Sequence, residues 1–311
     1  MSLEMLVEQH HRVQYAASVQ MVAQQNKNPL EGTVTEVPAS GEAQSVSDLM
    51  GALEYQRGER RGTRNPENRP LNTRRWAVMP LPIESGDYIY KEDKFATATD
   101  PTSNYVTAHT KAVLRGKMDV ILGVTKNDDG NFYVTEGGIL GKAREGKTPG
   151  VGTPLPASQF IGHVNTGLTI EKLREARKML KKAEFGIEDD DHLYGLISPE
   201  QEDDLLAIAQ QAGPSLNAFN IEQLKTGKAS PLLGITWIVT NRLPFKTQGG
   251  PRLIPIWSKN NIINARWQGI EGNMWNDTSK KNLPYVYVSA YFDAVRAQDK
   301  GVVVIECEES V

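Results

Sequence analysis

Residues 285–307 read YVYVSAYFDAVRAQDKGVVVIEC and predict the strands that close the chain. Over residues 285–292, tyrosines alternate with valines and a phenylalanine, which is the pattern of a strand with two different faces. Asp299-Lys300-Gly301 then predicts a turn into a last strand, Val302–Cys307. Cys307 falls on the same strand face as Val303 and Ile305, so we expect a buried, unreactive thiol.

Three helices are predicted upstream of these strands, each with a recognisable start. One begins after Asp100-Pro101 and runs to about Gly123, with Thr102 or Ser103 as its N-cap. Thr169 caps the second, IEKLREARKMLKKA. The third begins at Ser198-Pro199-Glu200-Gln201, a capping box with proline at the first helical position.

The remaining elements are shorter. Strands are predicted at residues 193–197, 234–240 and 253–257, a turn at 128–131, a polar helix over the first 25 residues and an arm over 26–47. Residues 76–79 suggest one side of a long hairpin. Helices come first and antiparallel strands last, an order that predicts an α+β fold and not a doubly wound α/β fold.

Composition excludes several classes of protein. The 311 residues include 35 Lys plus Arg and 38 Asp plus Glu, a net charge of −3, so a globally basic nucleic-acid binder is excluded. One cysteine cannot form an intramolecular disulfide framework or a cysteine-based zinc site. The start, MSLEMLVEQHHRVQ, is no signal peptide, and no apolar run is long enough to span a membrane. We expect a soluble protein of a reducing compartment.

The charge is strongly segregated along the chain. Residues 1–48 hold six acids and two bases, residues 54–75 hold seven arginines against three glutamates, and residues 184–204 hold nine acids without Lys or Arg. These blocks are typical of solvated surfaces, of a nucleic-acid arm, or of an arginine loop that meets an acidic patch on another copy. The candidate contact residues are Arg57, Arg60, Arg61, Arg64, Arg69, Arg74, Arg75, Glu188, Asp189, Asp190 and Asp191.

Motifs for catalysis are weak. Residues 141–148, GKAREGKT, match the phosphate-binding P-loop, and a nucleotide hydrolase using Lys147 remains an alternative. However, the motif is followed by PGVGTP, which cannot continue as the required helix. The five histidines lack metal-ligand spacing, and no Gly-x-Ser-x-Gly elbow occurs. We therefore predict no catalytic, cofactor-binding or metal-binding residues.

Over about residues 5–308, the chain resembles the major capsid proteins of tailed bacteriophages, which have the Hong Kong ninety-seven-type (Johnson) fold. The order and spacing of several segments carry this resemblance. They read VEQHHRVQYAASVQMVAQQ (7–25), RRW (74–76), ESGDYIYKEDKF (84–95), LRGKMDVILG (114–123), GLTIEKLREARKMLKKAE (167–184), LISPEQEDDLLA (196–207) and YVSAYFDAVRAQDKGVVVIEC (287–307).

The resemblance implies an assignment of the chain to the parts of that fold. These are an N-terminal arm (1–48), an extended loop (49–88), a peripheral domain (89–189) with a spine helix at about 103–123, an axial domain (190–280) and C-terminal strands that return to the peripheral domain (281–311). It implies no enzyme activity. Residues 54–75 contain no lysine, so the cross-linking seen in certain members is not expected here.

The implied partners are those of a phage head. Many copies would form pentamers and hexamers around double-stranded DNA without sequence specificity, with a portal protein, a separate scaffolding protein and a decoration protein as further partners. Assembly in the bacterial cytoplasm and residence in the virion are implied, with no membrane. A nanocompartment shell of the encapsulin type shares the fold and remains the alternative.

Overall fold

The structure, a computed structural model, describes residues 27–49, 72–90, 102–162, 164–188, 190–211 and 231–309. The chain divides into two compact units. In its described part, the first unit consists of residues 27–28, 82–90, 102–116 and 268–291. The second unit holds the remaining described residues.

The described residues form three α-helices and fourteen strands. The helices are α1 (Thr102–Leu122), α2 (Ile170–Lys182) and α3 (Pro199–Gln211). The strands are β1 (Thr35–Pro38), β2 (Ala43–Leu49), β3 (Thr73–Val78), β4 (Ile83–Tyr88), β5 (Val124–Lys126), β6 (Phe132–Val134), β7 (Arg144–Glu145), β8 (Phe160–Ile161), β9 (Leu193–Ile197), β10 (Ile235–Val239), β11 (Arg252–Ser258), β12 (Ile262–Asp277), β13 (Leu283–Arg296) and β14 (Val302–Cys307). The three predicted helices and the strand at 193–197 are confirmed, and the predicted turn at 128–131 joins β5 to β6.

The second unit is built on a five-stranded sheet in the order β10-β9-β11-β14-β8. Strand β11 runs antiparallel to both β14 and β9, whereas β10 is parallel to β9 and β14 is parallel to β8. Because parallel neighbours need a long crossover, the connection from β9 to β10 contains α3. The sheet is therefore mixed, and the α+β class is confirmed.

The core of this unit lies on both faces of β14, all six residues of which are buried. Helix α2 contributes Leu173, Ala176 and Leu180, each 0% exposed. Burying a leucine side chain stabilises the fold by about 1.5–3 kcal/mol. Cys307 is also 0% exposed, and burial raises the pKa of its thiol to about 12, which confirms the prediction of an unreactive thiol.

The first unit contains the alternating tyrosine strand. Residues 285–290 of β13 pair antiparallel with β4, from Tyr285 opposite Tyr88 to Ala290 opposite Ile83. Val286 and Val288 are 1% exposed, which confirms the two-faced pattern. Strand β4 also contacts α1, since the Ser85 hydroxyl lies 2.8 Å from His109 Nδ1.

Three features differ from the sequence-based expectations. The turn at 299–301 is present, but β13 and β14 enter different sheets. The arm predicted over residues 26–47 contains β1 and most of β2, and β2 is the other side of the hairpin formed with β3. Strand β12 was not predicted, because its sequence includes glycines and asparagines and its conformation depends on pairing within the sheet. The predicted helix over residues 1–25 lies outside the described residues.

Candidate functional site

The candidate site is the base of the arginine-rich hairpin, where β3 is the central strand of the sheet β2-β3-β7. The register places Arg74 opposite Asp48 and Arg75 opposite Glu145. Because successive side chains of a strand point to opposite faces, the two arginines lie on different sides of the sheet. They have correspondingly different environments.

Arg74 lies on the exposed side. Its guanidinium binds the Asp48 carboxylate through two atoms, Nε to Oδ1 and Nη2 to Oδ2, the second at 2.9 Å. The Ser45 hydroxyl donates to the same carboxylate at 2.9 Å. The hydrogen bond from Arg74, followed by that from Ser45, lowers the pKa of Asp48. Exposed ion pairs contribute little stability, so this pair chiefly sets the geometry between β2 and β3.

Arg75 lies on the buried side, with its side chain only 7% exposed. Its Nη2 atom lies 3.0 Å from Asp299 Oδ2 and 3.1 Å from Glu145 Oε2. Its Nη1 atom is buried without a hydrogen-bond partner. The hairpin base is thus anchored by a charged side chain removed from solvent.

Asp299 is shared between Arg75 and a second buried arginine, Arg296, which is 0% exposed. Arg296 Nε donates to Asp299 Oδ1 at 2.6 Å. Its other two nitrogens donate to the carbonyl oxygens of Gly141 and Thr153, the latter at 3.1 Å. Burial lowers the pKa of Arg296, while Asp299 opposes that effect. The Asp299 carboxylate therefore pairs with both buried guanidinium groups, and Glu145 is a second partner of Arg75.

A buried carboxylate, Asp293 of β13, holds the other end of β3. Its Oδ2 atom accepts a hydrogen bond from the Val78 backbone N–H at 2.8 Å. Burial raises the pKa of Asp293 to about 6, against the effect of this hydrogen bond and of Arg144, whose Nη1 lies at 3.9 Å. Arg144 is itself paired with Glu136.

A cleft of about 590 Å³ opens beside the exposed side of the hairpin base. Trp76 lies near it and donates from Nε1 to the Gly146 carbonyl at 2.8 Å. The cleft is lined by Asp48, Asn72, Thr73, Arg74, Glu145, Gly146 and Lys147. Three of the lining residues, Asp48, Arg74 and Glu145, belong to the ion pairs of the hairpin base.

The structure shows what the P-loop-like motif does. Within described residues 149–162, no α-helix follows the motif, and residues 144–145 form β7. The carbonyl of Gly141 accepts from Arg296, and Lys147 lines the cleft. A phosphate-binding loop requires a helix directly after the motif, and described residues 149–162 contain a 3-10 turn at 157–159 and strand β8 in its place.

The acidic candidates do not form one cluster of free carboxylates. Glu188 and Asp190 are exposed, while Asp189 lies outside the described residues. Asp191 accepts from the Gly186 backbone N–H at 2.5 Å and from the Ser258 hydroxyl. Among the described residues, no ion pair joins these acids to Arg74 or Arg75. The candidates Arg57, Arg60, Arg61, Arg64 and Arg69 lie outside the described residues.

The sequence analysis named Arg74 and Arg75 as candidates for contacts between copies, which stays a prediction, and it did not identify their partners within the chain. Asp48 and Glu145 are far from the arginines in sequence, and only strand register brings them together. Arg296 and Asp299 are close in sequence, because Asp299 opens the predicted turn before the last strand and Arg296 lies three residues before it.

The described residues hold no group of three His, Cys, Asp or Glu side chains arranged to bind a metal ion. None of their helices combines the length and apolar character needed to cross a membrane.

Comparison with solved structures identifies the fold. The capsid of cyanophage P-SCSP1u matches 98% of this chain and 95% of its own, at 12% identity and a TM-score of 0.68. The capsid of a native GTA particle matches 99% of this chain and 100% of its own, at 10% identity and a TM-score of 0.66. The encapsulin of Synechococcus elongatus matches 94% and 92%, at 13% identity and a TM-score of 0.53. These likenesses confirm the Hong Kong ninety-seven-type fold.

Sequence comparison identifies the family. A search of curated protein sequences finds no match. The family described as phage capsid protein matches residues 7–309, nearly the whole chain, as the resemblance implied. The chain therefore belongs to the phage capsid protein family and is a major capsid protein, a structural subunit of a phage shell.

Proposed function

We propose that many copies of this chain assemble as pentamers and hexamers of an icosahedral head that encloses double-stranded DNA without sequence specificity. The observation that carries the proposal is the family match over residues 7–309, and the capsid fold supports it. The proposed site of assembly is the cytoplasm of the host bacterium. A portal protein, a separate scaffolding protein and a decoration protein are the proposed further partners.

We assign the parts of the fold as follows. Residues 1–48 are the N-terminal arm, 49–88 the extended loop, 89–189 the peripheral domain with α1 as its spine, 190–280 the axial domain and 281–311 the returning strands. The ladder between β2 and β3 supports a hairpin at the extended loop, and six of the seven residues of its first strand, 43–48, lie on the arm side of the boundary.

The hairpin base divides the arginine candidates into two groups. Arg74 and Arg75 are bound to acids of their own chain, so their proposed role is to fix the direction in which the hairpin leaves the protein. Arg57, Arg60, Arg61, Arg64 and Arg69 are proposed to contact acids of a neighbouring copy. Glu188 and Asp190, which are exposed, are candidates for those acids together with Asp189. Asp191 has local partners and is the weakest of the four.

Electron microscopy of the purified full-length protein tests the proposal. We expect closed shells or free capsomers, whereas uniform monomers at all concentrations would contradict it. A triple variant, Arg57→Glu, Arg60→Glu and Arg61→Glu, should lose shells while its circular dichroism spectrum stays unchanged. Shells of normal yield and salt sensitivity from this variant would contradict the role of the arginines.

The encapsulin alternative makes a different prediction about contents. Its structural likeness, a TM-score of 0.53, is lower than that of the phage capsids named above. Particles purified from infected or expressing cells and treated with nuclease should protect double-stranded DNA if the phage head is correct. Particles that protect a specific protein and no nucleic acid would support the nanocompartment.

A further inference from the structure

A lysine, a glutamate and an asparagine from three different elements meet in the second unit. Glu36 of β1 lies directly opposite Asn264 of β12 in the parallel ladder of these strands, so the two side chains share one face. Lys117 of α1 reaches the same place, and its Nζ atom donates to Glu36 Oε1 at 2.6 Å. The Asn264 Nδ2 atom donates to the same oxygen at 3.4 Å. One carboxylate oxygen therefore contacts both the lysine amine and the asparagine amide.

The lysine and the asparagine of this group are enclosed by the protein. The side chain of Lys117 is 8% exposed, and Asn264 is 0% exposed. The Lys117 Nζ atom lies 4.7 Å from the centre of the buried Phe292 ring. Lysine is rarely buried in proteins, and an amine held away from water reacts more readily because little hydration has to be removed. The side chain of Glu36 is 36% exposed and connects the group to solvent.

The amide of Asn264 is only partly used in hydrogen bonding. Its carbonyl oxygen, Oδ1, is buried and has no hydrogen-bond partner among the described residues. An asparagine that served only to join β1 to β12 would be expected to use both ends of its amide, because a buried polar atom without a partner destabilises a fold. When Glu36 holds a proton it becomes a donor, and Oδ1 is the acceptor beside it. Such a hydrogen bond draws electron density from the amide carbon, Cγ, and makes it more reactive.

Glu36 is suited to take a proton from Lys117. Burial acts to raise the pKa of Glu36, but the hydrogen bond and the charge of Lys117 outweigh burial and hold this pKa below its ordinary value. The carboxylate is therefore ionised at neutral pH and can accept a proton. Its 2.6 Å contact with Nζ lies within the range over which a positioned base works.

We propose that Lys117 and Asn264 form an isopeptide bond within one chain, with Glu36 as the proton carrier. The Nζ atom of Lys117 attacks Cγ of Asn264, a bond forms between Nζ and Cγ, and the bond between Cγ and Nδ2 breaks. Two of the three protons of the lysine ammonium group pass by way of Glu36 to Nδ2, which leaves as an ammonium ion. Atoms and charges balance without an oxidant or a cofactor.

The bond would join α1 to β12 covalently within one protomer. It closes the chain between residues 117 and 264 into a loop, and a cross-link across so long a loop restricts the unfolded chain and stabilises the folded one. It involves no second copy and no residue of the extended loop. The inference therefore does not depend on the proposed shell assembly.

Mass spectrometry of the purified full-length protein tests the bond. We expect a mass lower by about 17 Da than the sequence requires, because one ammonia is lost. Digestion with trypsin should release residues 116–126 joined to residues 260–266, since trypsin does not cleave after an acylated lysine. Fragmentation of this product should place the link on Asn264, and not on Asn260 or Asn261. The full sequence mass after long incubation at mildly alkaline pH would overturn the proposal.

A cyclic imide formed by an asparagine alone gives the same loss of mass, and the digest distinguishes it. In that case trypsin still cleaves after Lys117, and no joined peptides appear. This result would also overturn the proposal. Because the bond forms within one chain, unassembled protein is sufficient, and a failure to form shells would leave the result unaffected.

Three variants separate the bond from a purely structural ion pair. Glu36→Gln removes the proton carrier and should keep the full sequence mass. Lys117→Arg keeps a positive charge beside Glu36 but has no amine to acylate, so it should keep the full mass with an unchanged circular dichroism spectrum. The matched control is Glu42→Gln, an exposed glutamate just before β2, which should still lose ammonia. Loss of ammonia from Lys117→Arg, or from Glu36→Gln at the wild-type rate, would overturn the proposal.

Discussion

Removing the charge of Asp299 should destabilise the protein far more than removing that of Glu145, although both acids contact the same nitrogen of Arg75. The side chain of Asp299 is 21% exposed, and that of Glu145 is 42% exposed. Asp299 is also the ion-pair partner of Arg296, which is fully buried. Asp299→Asn therefore leaves the buried Arg296 without its ion-pair partner and leaves Arg75 with the more exposed Glu145 as its counter-charge.

The expected magnitude follows from these environments. Breaking a buried ion pair by removing one partner costs about 3–5 kcal/mol, and the partial exposure of Asp299 favours the lower limit. We expect Asp299→Asn to lower the free energy of unfolding by about 3 kcal/mol. Glu145→Gln removes an exposed charge and should cost about 0–1 kcal/mol.

Urea denaturation of the unassembled full-length protein, followed by circular dichroism and by tryptophan fluorescence, measures both losses. Arg75→Met in the Asp299→Asn background provides the internal control. Arg75→Met removes a buried guanidinium group that has lost its Asp299 partner. The double variant should therefore be more stable than the sum of the two single losses predicts. Equal losses for Asp299→Asn and Glu145→Gln, or strict additivity in the double variant, would refute the reasoning.

Three further predictions concern single sites. Burial raises the pKa of Asp293 from 3.8 to about 6, so the folded state binds a proton more tightly than the unfolded state does. The stability that this proton contributes is lost as pH rises from about 4 to 6. Asp293→Asn should remove this pH dependence from the midpoints of urea denaturation. The Cys307 thiol, with its pKa raised to about 12, should react with iodoacetamide only in denaturant, and fast labelling of native protein would contradict its burial. Gly195→Ala, whose Cβ would lie 2.4 Å from the Trp237 ring, should cost about 1–3 kcal/mol in thermal unfolding, whereas Gly162→Ala, with nothing within 4 Å, should be nearly neutral.

Local patterns were sufficient to predict the elements whose residues interact with near neighbours in sequence. The Thr169 hydroxyl accepts from the Lys172 N–H at 3.4 Å, and the Ser198 N–H donates to Gln201 Oε1 at 3.1 Å. Both caps are contacts between residues three positions apart, so sequence spacing predicts them. The fold family could be predicted for a related reason, because the order and spacing of several such segments along the whole chain carry the resemblance.

Partners that depend on strand register could not be predicted in the same way. Arg75 and Asp299 are 224 positions apart, and their contact requires β3, β13 and the turn at 299–301 to be placed first. A one-residue shift of β3 would exchange the environments of Arg74 and Arg75. The bulge between Ser45 and Ser47 introduces such a local irregularity into the ladder of β2 and β3, and the sequence gives no sign of it.

The arrangement of charge at the hairpin base explains how one chain can be stable alone and still assemble through many weak contacts. Asp299 pairs with both Arg75 and Arg296 within the protomer, so the base of the hairpin is held by contacts that need no neighbouring copy. An ordered hairpin base reduces the conformational entropy that the chain loses on assembly. Each contact between copies is therefore stronger, although no new contact is added. Loss of Asp299 should consequently weaken shell formation as well as folding. The net charge of −3 conceals this arrangement, because positive and negative charges that pair within the protomer cancel in the sum.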